Sequence, residues 1–231
     1  MKSYKDLTVG DGGSAIVAQV QEQARRVQSR LADVRYTVAV MSGKGGVGKT
    51  AIAVNLAASL AQLGYAVGVL DADINGPSVA KMLGVQGAPL RLREDALEPV
   101  RAHLGIVVMS MGLLLPSEEA PVVWDAPTQQ DAFTWRGIME ATALRELLSD
   151  TQWGKLDYLL IDMPPGPEGM QNLASVLPTL KGSIVVTIPS GVSRIVVKKA
   201  VTVARETLSA PVIGLVSNMA YYICPSCGAR E

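Results

Sequence analysis

One glycine-rich stretch of the chain has the residues and the spacing of a phosphate-binding loop: Gly43-Lys44-Gly45-Gly46-Val47-Gly48-Lys49-Thr50. It lies between an apolar strand pattern at residues 38–41 and a helical pattern at residues 50–63, which is the context that this motif requires. Glycines let backbone N–H groups converge on phosphate oxygens, and the helix N-terminus adds partial positive charge. We therefore predict that Lys49 contacts the β- and γ-phosphates of a nucleotide and that the Thr50 hydroxyl binds Mg²⁺.

Three aspartates stand where predicted strands end. Asp71 and Asp73 follow the second predicted strand, and Asp162 ends another strand and leads into Met163-Pro164-Pro165-Gly166. A carboxylate at such a position can hold Mg²⁺ through water, and the Gly166 N–H can meet a γ-phosphate. A single aspartate at a strand end can also simply cap the next turn. Three of them beside a phosphate-binding loop favour a site for Mg²⁺ and a nucleoside triphosphate.

The cysteine and histidine content limits the other chemistry that the chain can perform. The two cysteines, Cys224 and Cys227, form a single CxxC, and His103 is the only histidine. One histidine cannot build a histidine metal cage, and Ser-His or Cys-His nucleophile systems are not expected. In a reducing compartment, the CxxC spacing favours a metal or redox site over a structural disulfide.

The composition indicates a folded protein without a charge bias. Hydrophobic residues make up 48% of the 231 residues and charged residues 18%, which argues against disorder. No apolar run reaches the roughly 20 residues of a membrane-spanning helix, and the first residues do not resemble a secretory signal, so we expect a cytoplasmic protein. The 21 basic residues equal the 21 acidic ones, and no basic patch is visible. We therefore expect neither a nucleic-acid partner nor a membrane partner.

Short apolar runs alternate with helical patterns from Tyr36 onward, which is typical of a parallel sheet wrapped by helices. We expect less regular excursions from the sheet edge at residues 85–104 and 113–135. The pattern predicts an α/β fold of the P-loop NTPase type, a three-layer α/β/α arrangement with helices on both faces of a mostly parallel, twisted sheet. The predicted strands are residues 36–42, 66–71, 105–110, 157–162, 183–188 and 211–217.

The first 35 residues differ from the rest. We therefore divide the chain into an N-terminal segment with an amphipathic helix, residues 1–35, and a P-loop domain, residues 36–231, that ends in the CxxC. Ser14 can cap a helix that runs to about Val34. This helix is predicted to pack on its own domain, and the alternative is a contact between two chains. Its apolar seam consists of Val17, Val20, Ala24, Val27, Leu31 and Val34.

The lysine at position 44 indicates a narrower class of phosphate-binding loop. The sequence KGGVGKT at residues 44–50 resembles the deviant Walker A motif of the partition, division-site and iron–sulfur carrier ATPases, the MinD/ParA-like group. By further segments in order along residues 36–231, the chain resembles the Mrp/ApbC-type (Nbp-like) iron–sulfur cluster carriers. These segments are VLDADINGPS at 69–78, VMSMG at 108–112, DTQWGKLDY at 150–158, DMPPG at 162–166 and NMAYYICPSCG at 218–228.

The resemblance implies a slow ATPase whose catalytic residues are Lys44, Lys49 and Asp73. Lys44 crosses a dimer interface to contact the partner's nucleotide in that group. Together with Lys49 and Mg²⁺, it neutralises charge that develops on the γ-phosphoryl group. The resemblance further implies that Asp73 orients the attacking water.

The remaining implied roles concern binding of ATP or ADP with Mg²⁺. Asp71 supports the outer shell of the metal, Asp162 with Gly166 forms a second switch segment, and Asn218 contacts adenine. The full set of expected nucleotide-binding residues is Gly43, Lys44, Gly45, Gly46, Val47, Gly48, Lys49, Thr50, Ala51, Asp71, Asp162, Gly166 and Asn218.

The resemblance also implies that Cys224 and Cys227 hold a 4Fe-4S cluster shared between the two subunits of a homodimer. A tetrahedral thiolate site or a cubane cluster takes four ligands, and two chains related by a two-fold axis supply four. A bridging zinc would use the same ligands, and redox-active or inert thiols are further alternatives. The residue types do not separate zinc from iron–sulfur, whereas the resemblance favours iron.

Some positions depart from the family pattern. The family has two hydroxyl residues after the loop lysine, whereas here Thr50 is followed by Ala51, so a contact to the α-phosphate is lost. Pro167-Glu168-Gly169 replaces Thr-Gly-Asp or Thr-Ser-Asp, and the proline is expected to stiffen a loop that must move. The family's Trp-Arg-Gly-Pro motif is also altered. Trp124-Asp125-Ala126-Pro127 occupies the expected place, and Trp135-Arg136-Gly137 follows eleven residues later, which suggests a short insertion at 125–134.

These observations predict an ATP-binding and ATP-hydrolysing carrier that transfers its iron–sulfur cluster to apo acceptor proteins. A spatial regulator like the partition or division-site ATPases shares the deviant loop, but it would leave the CxxC unexplained. A reductase resembling the nitrogenase iron protein ranks lower, because the cluster cysteines of that protein lie far apart. A nucleotide-gated scaffold, non-hydrolysing or with a bridging zinc, is the remaining alternative.

Overall fold

The structure, a computed structural model, describes residues 13–93, 96–115, 120, 129–177, 180–189 and 193–230. Short 3-10 turns lie at His103–Gly105 and Met111–Leu113. In chain order the other elements are α1 Gly13–Arg30, β1 Val34–Ser42, α2 Lys49–Gln62, β2 Val67–Asp71, α3 Val79–Met82, β3 Arg91–Arg93, β4 Ala96–Glu98, β5 Val100–Arg101, β6 Val107–Ser110, α4 Gln129–Asp150, β7 Leu156–Asp162, α5 Pro167–Val176, β8 Gly182–Thr187, α6 Ser193–Glu206 and β9 Val212–Ser217.

Seven strands form the main sheet in the order β5-β6-β2-β7-β1-β8-β9, and β3 pairs with β4 in a separate hairpin. Strand β5 is antiparallel to β6, and the other neighbouring pairs of the sheet are parallel. The carboxyl ends of the parallel strands therefore meet at one edge. This architecture confirms the predicted α/β fold, and the six predicted strands differ from the observed ones by at most two residues at either end.

Helices cover both faces of the sheet. Helices α1, α4, α5 and α6 pack over one face in a cluster that includes Met41 and Ile161 of the central strands. Helices α2 and α3 pack over the other face, against Val69 and Val108. Strands buried on both faces explain the continuous apolar runs in the sequence.

The N-terminal helix packs on the same core as the rest of the chain. Val27 is 2% exposed within the cluster that covers one sheet face, and the Arg30 Nε–H donates to the carbonyl oxygen of Ser149 in α4 at 3.1 Å. The helix ends at Arg30, and Val34 already opens β1. The prediction that the helix runs to about Val34 is therefore wrong, because the turn at residues 31–33 reverses the chain.

The two stretches that we expected to be irregular, residues 85–104 and 113–135, have different structures. Residues 85–104 contain the β3–β4 hairpin and the edge strand β5, as expected of an excursion from the sheet edge. In the second stretch, residues 129–135 belong to α4, so the prediction of irregular structure is wrong there. Residues 125–128 of the expected insertion lie outside the described residues. Among the helices in the described ranges, none has both the length and the hydropathy to cross a lipid bilayer.

Candidate functional site

The phosphate-binding loop joins the carboxyl end of β1 to the first turn of α2. Gly48 directly precedes the helix with φ 83° and ψ 25°, a left-handed conformation that glycine adopts without strain. A Cβ atom at this position would also collide with Nδ2 of Asn218. The Ser42 hydroxyl donates to the carbonyl oxygen of Lys44 at 2.9 Å. The loop is thus fixed at the N-terminus of α2, where backbone N–H groups can bind an anion.

Asp162 connects the two functional residues at the start of α2. Lys49 Nζ lies 2.6 Å from Asp162 Oδ1, and the Thr50 hydroxyl donates to Asp162 Oδ2 at 2.7 Å. The side chains of Lys49 and Asp162 are 8% and 0% exposed, so they form a buried ion pair. Strands β1 and β7 are neighbours in the sheet, which brings these distant positions together. The three residues predicted to bind phosphate and Mg²⁺ therefore lie in one hydrogen-bonded group.

Opposing effects act on the Asp162 carboxyl. Burial raises its pKa above the ordinary value, whereas the Lys49 ammonium and the Thr50 hydroxyl lower it. The Asp73 carboxylate adds to the upward shift. A cation bound by Thr50 would favour the charged form of Asp162, because an ion is then the largest local charge.

Asp71 accepts four hydrogen bonds from the protein. Its Oδ2 atom accepts from the N–H groups of Ser78 at 2.9 Å and Val79 at 3.0 Å. The Ser110 hydroxyl donates to the same oxygen at 3.1 Å, and the Asp73 N–H donates to Oδ1 at 3.2 Å. Burial raises the pKa of Asp71 to about 7, although these hydrogen bonds act against the shift. Asp71 thereby holds the loop after β2 in place, and its role in the metal's outer shell stays a prediction.

Asp73 and Gly166 lie on the segments that follow β2 and β7, the strands that end in Asp71 and Asp162. Asp73 is half-buried, and its Oδ1 atom accepts a hydrogen bond from the Gly76 N–H at 3.2 Å. Gly166 precedes α5 with φ 88° and ψ 178°. A Cβ atom built on Gly45 would lie 3.9 Å from the Cβ of Pro165. The segment before Gly166 therefore lies near the loop, and Asp73 lies close enough to Asp162 to raise its pKa. The roles of Asp73 and Gly166 in catalysis and switching stay predictions.

Asn218 contacts the phosphate-binding loop from the end of β9. Its Nδ2 atom donates to the carbonyl oxygen of Val47 at 2.9 Å, and its backbone N–H donates to the carbonyl oxygen of Thr187 at 2.7 Å. The next residue, Met219, has φ 52°, a conformation that is uncommon outside glycine. The Asn218 amide is thus at the nucleotide loop, and its contact with adenine stays a prediction.

The two cysteines lie on an exposed turn after β9. The Cys224 N–H donates to the carbonyl oxygen of Ala229, and the Gly228 N–H donates to that of Cys224, both at 2.9 Å. Both thiols are free. The backbone N–H of Cys227, followed by that of Ser226, lowers the pKa of the Cys224 thiol by hydrogen bonding. A lower pKa favours the thiolate, which is the form that binds metals. We call residues 221–230 the cysteine knuckle.

The donor set of the cysteine knuckle fits half of a four-thiolate site. Within the described ranges, no three His, Cys, Asp or Glu side chains come together as a group that could hold a metal. One chain therefore offers two thiolates, whereas a tetrahedral thiolate site or a cubane cluster takes four. These thiols follow the carboxyl end of β9, in a different segment of the chain from the phosphate-binding loop.

Two contacts of the site escaped the sequence analysis. Ser110 pairs in register with Asp71 across β2 and β6, so the argument from strand ends that selected the aspartates could also have selected this serine. The Asn75 side-chain amide donates to Glu140 Oε1 of α4 at 2.6 Å. No signal in the sequence indicates this second contact, because it depends on how α4 packs.

One departure from the family pattern, Pro167-Glu168-Gly169, has a local structural explanation. Pro167 is the first residue of α5, a position that suits proline because its missing N–H would have no helical partner. The expectation that Pro167 lies inside a loop is therefore wrong. A Cβ atom at Gly169 would collide with the ring of Pro164, so glycine at this position permits that ring to pack against α5. Ala51 is half-buried in the first turn of α2.

The chain matches a known family and its relatives over most of its length. The family described as ParA, NUBPL iron-transfer P-loop NTPase, matches residues 33–134 and 126–231. The iron–sulfur cluster carrier protein of Saccharolobus solfataricus is 42% identical over 211 residues, which cover 91% of this chain and 67% of that protein. The carrier of Aquifex aeolicus is 42% identical over 206 residues, with 89% and 53% coverage. The chain thus spans about two thirds of the first relative and about half of the second.

Solved structures share the fold of this chain. A nucleotide-binding protein of Archaeoglobus fulgidus, solved in complex with ADP and with Co, is similar with a TM-score of 0.74 and 36% identity, covering 90% of this chain and 76% of that one. The cell-division ATPase MinD of Pyrococcus furiosus shares the fold, with a TM-score of 0.51, 19% identity and coverage of 79% and 71%. The predicted family resemblance is confirmed: the chain belongs to the ParA/NUBPL family of iron-transfer P-loop NTPases.

Proposed function

We propose that this protein is an ATP-hydrolysing iron–sulfur cluster carrier that holds a 4Fe-4S cluster between two copies of itself and transfers it to apo acceptor proteins. One observation carries the proposal: a single chain combines the buried Lys49–Asp162 ion pair at its phosphate-binding loop with two free thiols on an exposed turn, half-buried Cys224 and exposed Cys227. Curated relatives that are named iron–sulfur cluster carriers support it. The protein acts in the cytoplasm, where reducing conditions keep both thiols free.

In this proposal, Lys49 exchanges one partner for another when ATP binds. Its ammonium leaves the Asp162 carboxylate and contacts the β- and γ-phosphates, while Thr50 binds Mg²⁺ and keeps its hydrogen bond to Asp162. The present 2.6 Å ion pair keeps the Lys49 charge compensated inside the protein until that exchange. The relative solved with ADP supports a nucleotide at this loop.

Hydrolysis requires that charge on the γ-phosphoryl group is stabilised and that water is oriented. Lys49 and the Lys44 side chain of a second copy supply the positive charge. Asp73 orients the water, and Asp71 positions Asp73 through the 3.2 Å hydrogen bond to its backbone N–H. Asn218 contacts the adenine while it stays close to the loop carbonyl of Val47.

The cluster is the cargo of the protein, and its ligands come from two chains. Each chain contributes the thiolates of Cys224 and Cys227, so a homodimer supplies the four that a cubane cluster takes. Exposure of the cysteine knuckle suits transfer, because an acceptor protein can reach both sulfur atoms. A bridging zinc would take the same four thiolates.

The proposal includes coupling between nucleotide and cargo. Hydrolysis relaxes the segments after β2 and β7 and changes how the two copies hold the cluster. We expect the ATP-bound protein to release cluster to an apo acceptor at least several-fold faster or slower than the ADP-bound protein. Equal transfer rates in the two states, followed by the recovery of acceptor activity, would rule out this coupling.

The proposed function is tested by anaerobic reconstitution with iron and sulfide, followed by absorbance spectroscopy and sizing chromatography. We expect about one 4Fe-4S cluster per dimer, and we expect the Cys224→Ser variant to lose it. Ser226→Ala is the matched control, because it changes a side chain between the cysteines and removes only the smallest of the effects that lower the pKa of Cys224, so the cluster should stay in place. Zinc addition to the apo protein, with metal analysis, runs in parallel.

The outcomes separate the alternatives. A cluster that disappears in Cys224→Ser and persists in Ser226→Ala supports the carrier. A protein that takes up zinc and no cluster is a zinc-bridged scaffold. If wild type binds neither, the ATPase remains and the carrier proposal falls.

A further inference from the structure

The cysteine knuckle is closed by local contacts at both of its ends. Residues Ile223 and Arg230 form an isolated antiparallel bridge, and the Cys224 N–H donates to the carbonyl oxygen of Ala229 inside it. Gly228 turns the chain with φ 73°. These backbone contacts set the path of the turn that carries both thiols.

One side-chain contact lies across the base of the knuckle. The Arg230 guanidinium carbon lies 3.4 Å from the centroid of the Tyr221 ring, a direct cation–π stack. The Tyr221 side chain is exposed and packs into neither of the large core clusters. The Tyr221 ring lies outside these clusters, and its contact with Arg230 joins the first residue of the knuckle to the last.

We propose that Arg230, stacked on Tyr221, is a positioning residue that closes the cysteine knuckle and holds the Cys224 and Cys227 thiols as a preformed two-sulfur ligand. The inference rests on the proposed function for the identity of the cargo. The closed knuckle itself consists of contacts within one chain. Without the stack, the contacts that the described residues make at the end of the knuckle are the Ile223–Arg230 bridge and the hydrogen bond from Cys224 to Ala229, and the thiols must be ordered when the cargo binds.

The expected size of the effect follows from the type of contact. A cation–π contact at an exposed site changes an equilibrium constant by about twofold to fivefold. Binding to the thiol pair of one chain should therefore weaken by that factor when the stack is removed. A cargo bridged between two chains is held by two knuckles, so the factor is squared. Binding of the cargo to the dimer should therefore weaken by about fourfold to 25-fold.

The one-chain effect is measured with phenylarsine oxide, a probe for paired thiols. Its arsenic forms two As–S bonds, the As–O bond breaks, and the two thiol protons leave with the oxygen as water, with no change of oxidation state. Affinity is determined by competition with dithiothreitol on the full chain. We expect Arg230→Ala and Tyr221→Leu to bind about twofold to fivefold more weakly, and Tyr221→Phe to bind like wild type.

Arg35→Ala is the matched control, because it also removes an arginine side chain that lies over a tyrosine ring. The Arg35 guanidinium lies 5.1 Å from the centroid of Tyr36 in β1, far along the chain from the cysteines. This variant should leave binding of the arsenical unchanged. If Arg230→Ala also binds it like wild type, the stack does not position the thiols and the inference is overturned.

Cluster retention supplies the second measurement. After reconstitution, an iron chelator is added and the loss of cluster absorbance is followed for wild type and Arg230→Ala. We expect faster loss in the variant. If wild type takes up no cluster but Arg230→Ala still weakens arsenical binding, the positioning role stands and the carrier proposal fails. A stable cluster and equal arsenical binding in both proteins would support the carrier and overturn the positioning role.

Discussion

The phosphate site and the cysteine knuckle are built in opposite ways. Lys49 and Asp162 are 113 residues apart in sequence and meet inside the protein because their strands are neighbours in the sheet. In the knuckle, the partners of Cys224 lie within a few residues of it and are exposed. The phosphate site is therefore part of the fold itself. The knuckle is a local structure that can change without disturbing the core.

The titratable groups of the two regions show the same contrast. Burial raises the pKa of Asp71 to about 7, and it also raises the pKa of Asp162. Backbone N–H donors instead lower the pKa of the Cys224 thiol, which lies on an exposed turn. Ionisation of a buried carboxyl thus lowers the stability of the folded protein, whereas the hydrogen bonds at the thiol favour its ionised form.

The contrast predicts the largest difference in stability between two variants when one functional side chain is removed from each region. Lys49→Met leaves the Asp162 carboxyl buried without its cation, and we expect about 3 to 5 kcal/mol of destabilisation. Cys227→Ser changes an exposed side chain, and we expect less than about 0.5 kcal/mol. Urea unfolding of the two variants at pH 7.5 measures both values. Similar losses in the two variants would contradict the distinction between fold and local structure.

A second test uses pH. Because the folded-state pKa of Asp71 is about 7 and its ordinary value is 3.8, its contribution to stability is full below pH 3.8 and is lost as pH rises through 7. Between pH 5 and 7.5 we expect wild type to lose about 2 to 3 kcal/mol from this group. Asp71→Asn cannot ionise and should lack this loss.

The measurement is urea unfolding of wild type and Asp71→Asn at several pH values in this window. The difference in unfolding free energy between the two proteins should change steadily with pH. A constant difference would show that Asp71 titrates as an ordinary exposed carboxyl.

The smallest expected effect tests the link between the two regions. Gly48 has φ 83°, and a side chain there would collide with Asn218, whereas Gly46 has φ 75° and nothing within 4 Å of its Cβ position. Gly48→Ala should therefore be about 1 to 2 kcal/mol less stable than Gly46→Ala, since both share the backbone strain. Thermal unfolding measures the difference. Equal stability would show that Asn218 moves aside without cost.

Much of the fold followed from the sequence because its signals are local. Buried parallel strands produce apolar runs, so strand positions could be predicted to within two residues. Since these strands all end at one sheet edge, the argument from strand ends also brought Asp71, Asp162 and Lys49 together. The helix after the loop was predicted to residues 50–63 and is Lys49–Gln62.

The features that could not be predicted depend on packing between distant segments. The four hydrogen bonds to Asp71 arise from how the loop after β2 folds back on its strand. The start of α4 at Gln129 was missed, because prolines and acidic residues interrupt the helical pattern in residues 113–135. The stack of Arg230 on Tyr221 has no periodic signal, since it is a side-chain contact of a turn.

The hydrogen bond between Asn218 and Val47 anchors the segment after β9 to the phosphate-binding loop. The residues that follow Asn218 form a short tether that carries the cysteines. Only six peptide units separate Asn218 from Cys224, so the cysteine stays within about 20 Å of that anchor even when the chain is fully extended. In the proposed homodimer, joined at its nucleotide sites, two such tethers would confine both thiol pairs to a small shared volume. Their effective concentration for one another is then high, and it falls once the anchor at the phosphate loop is released.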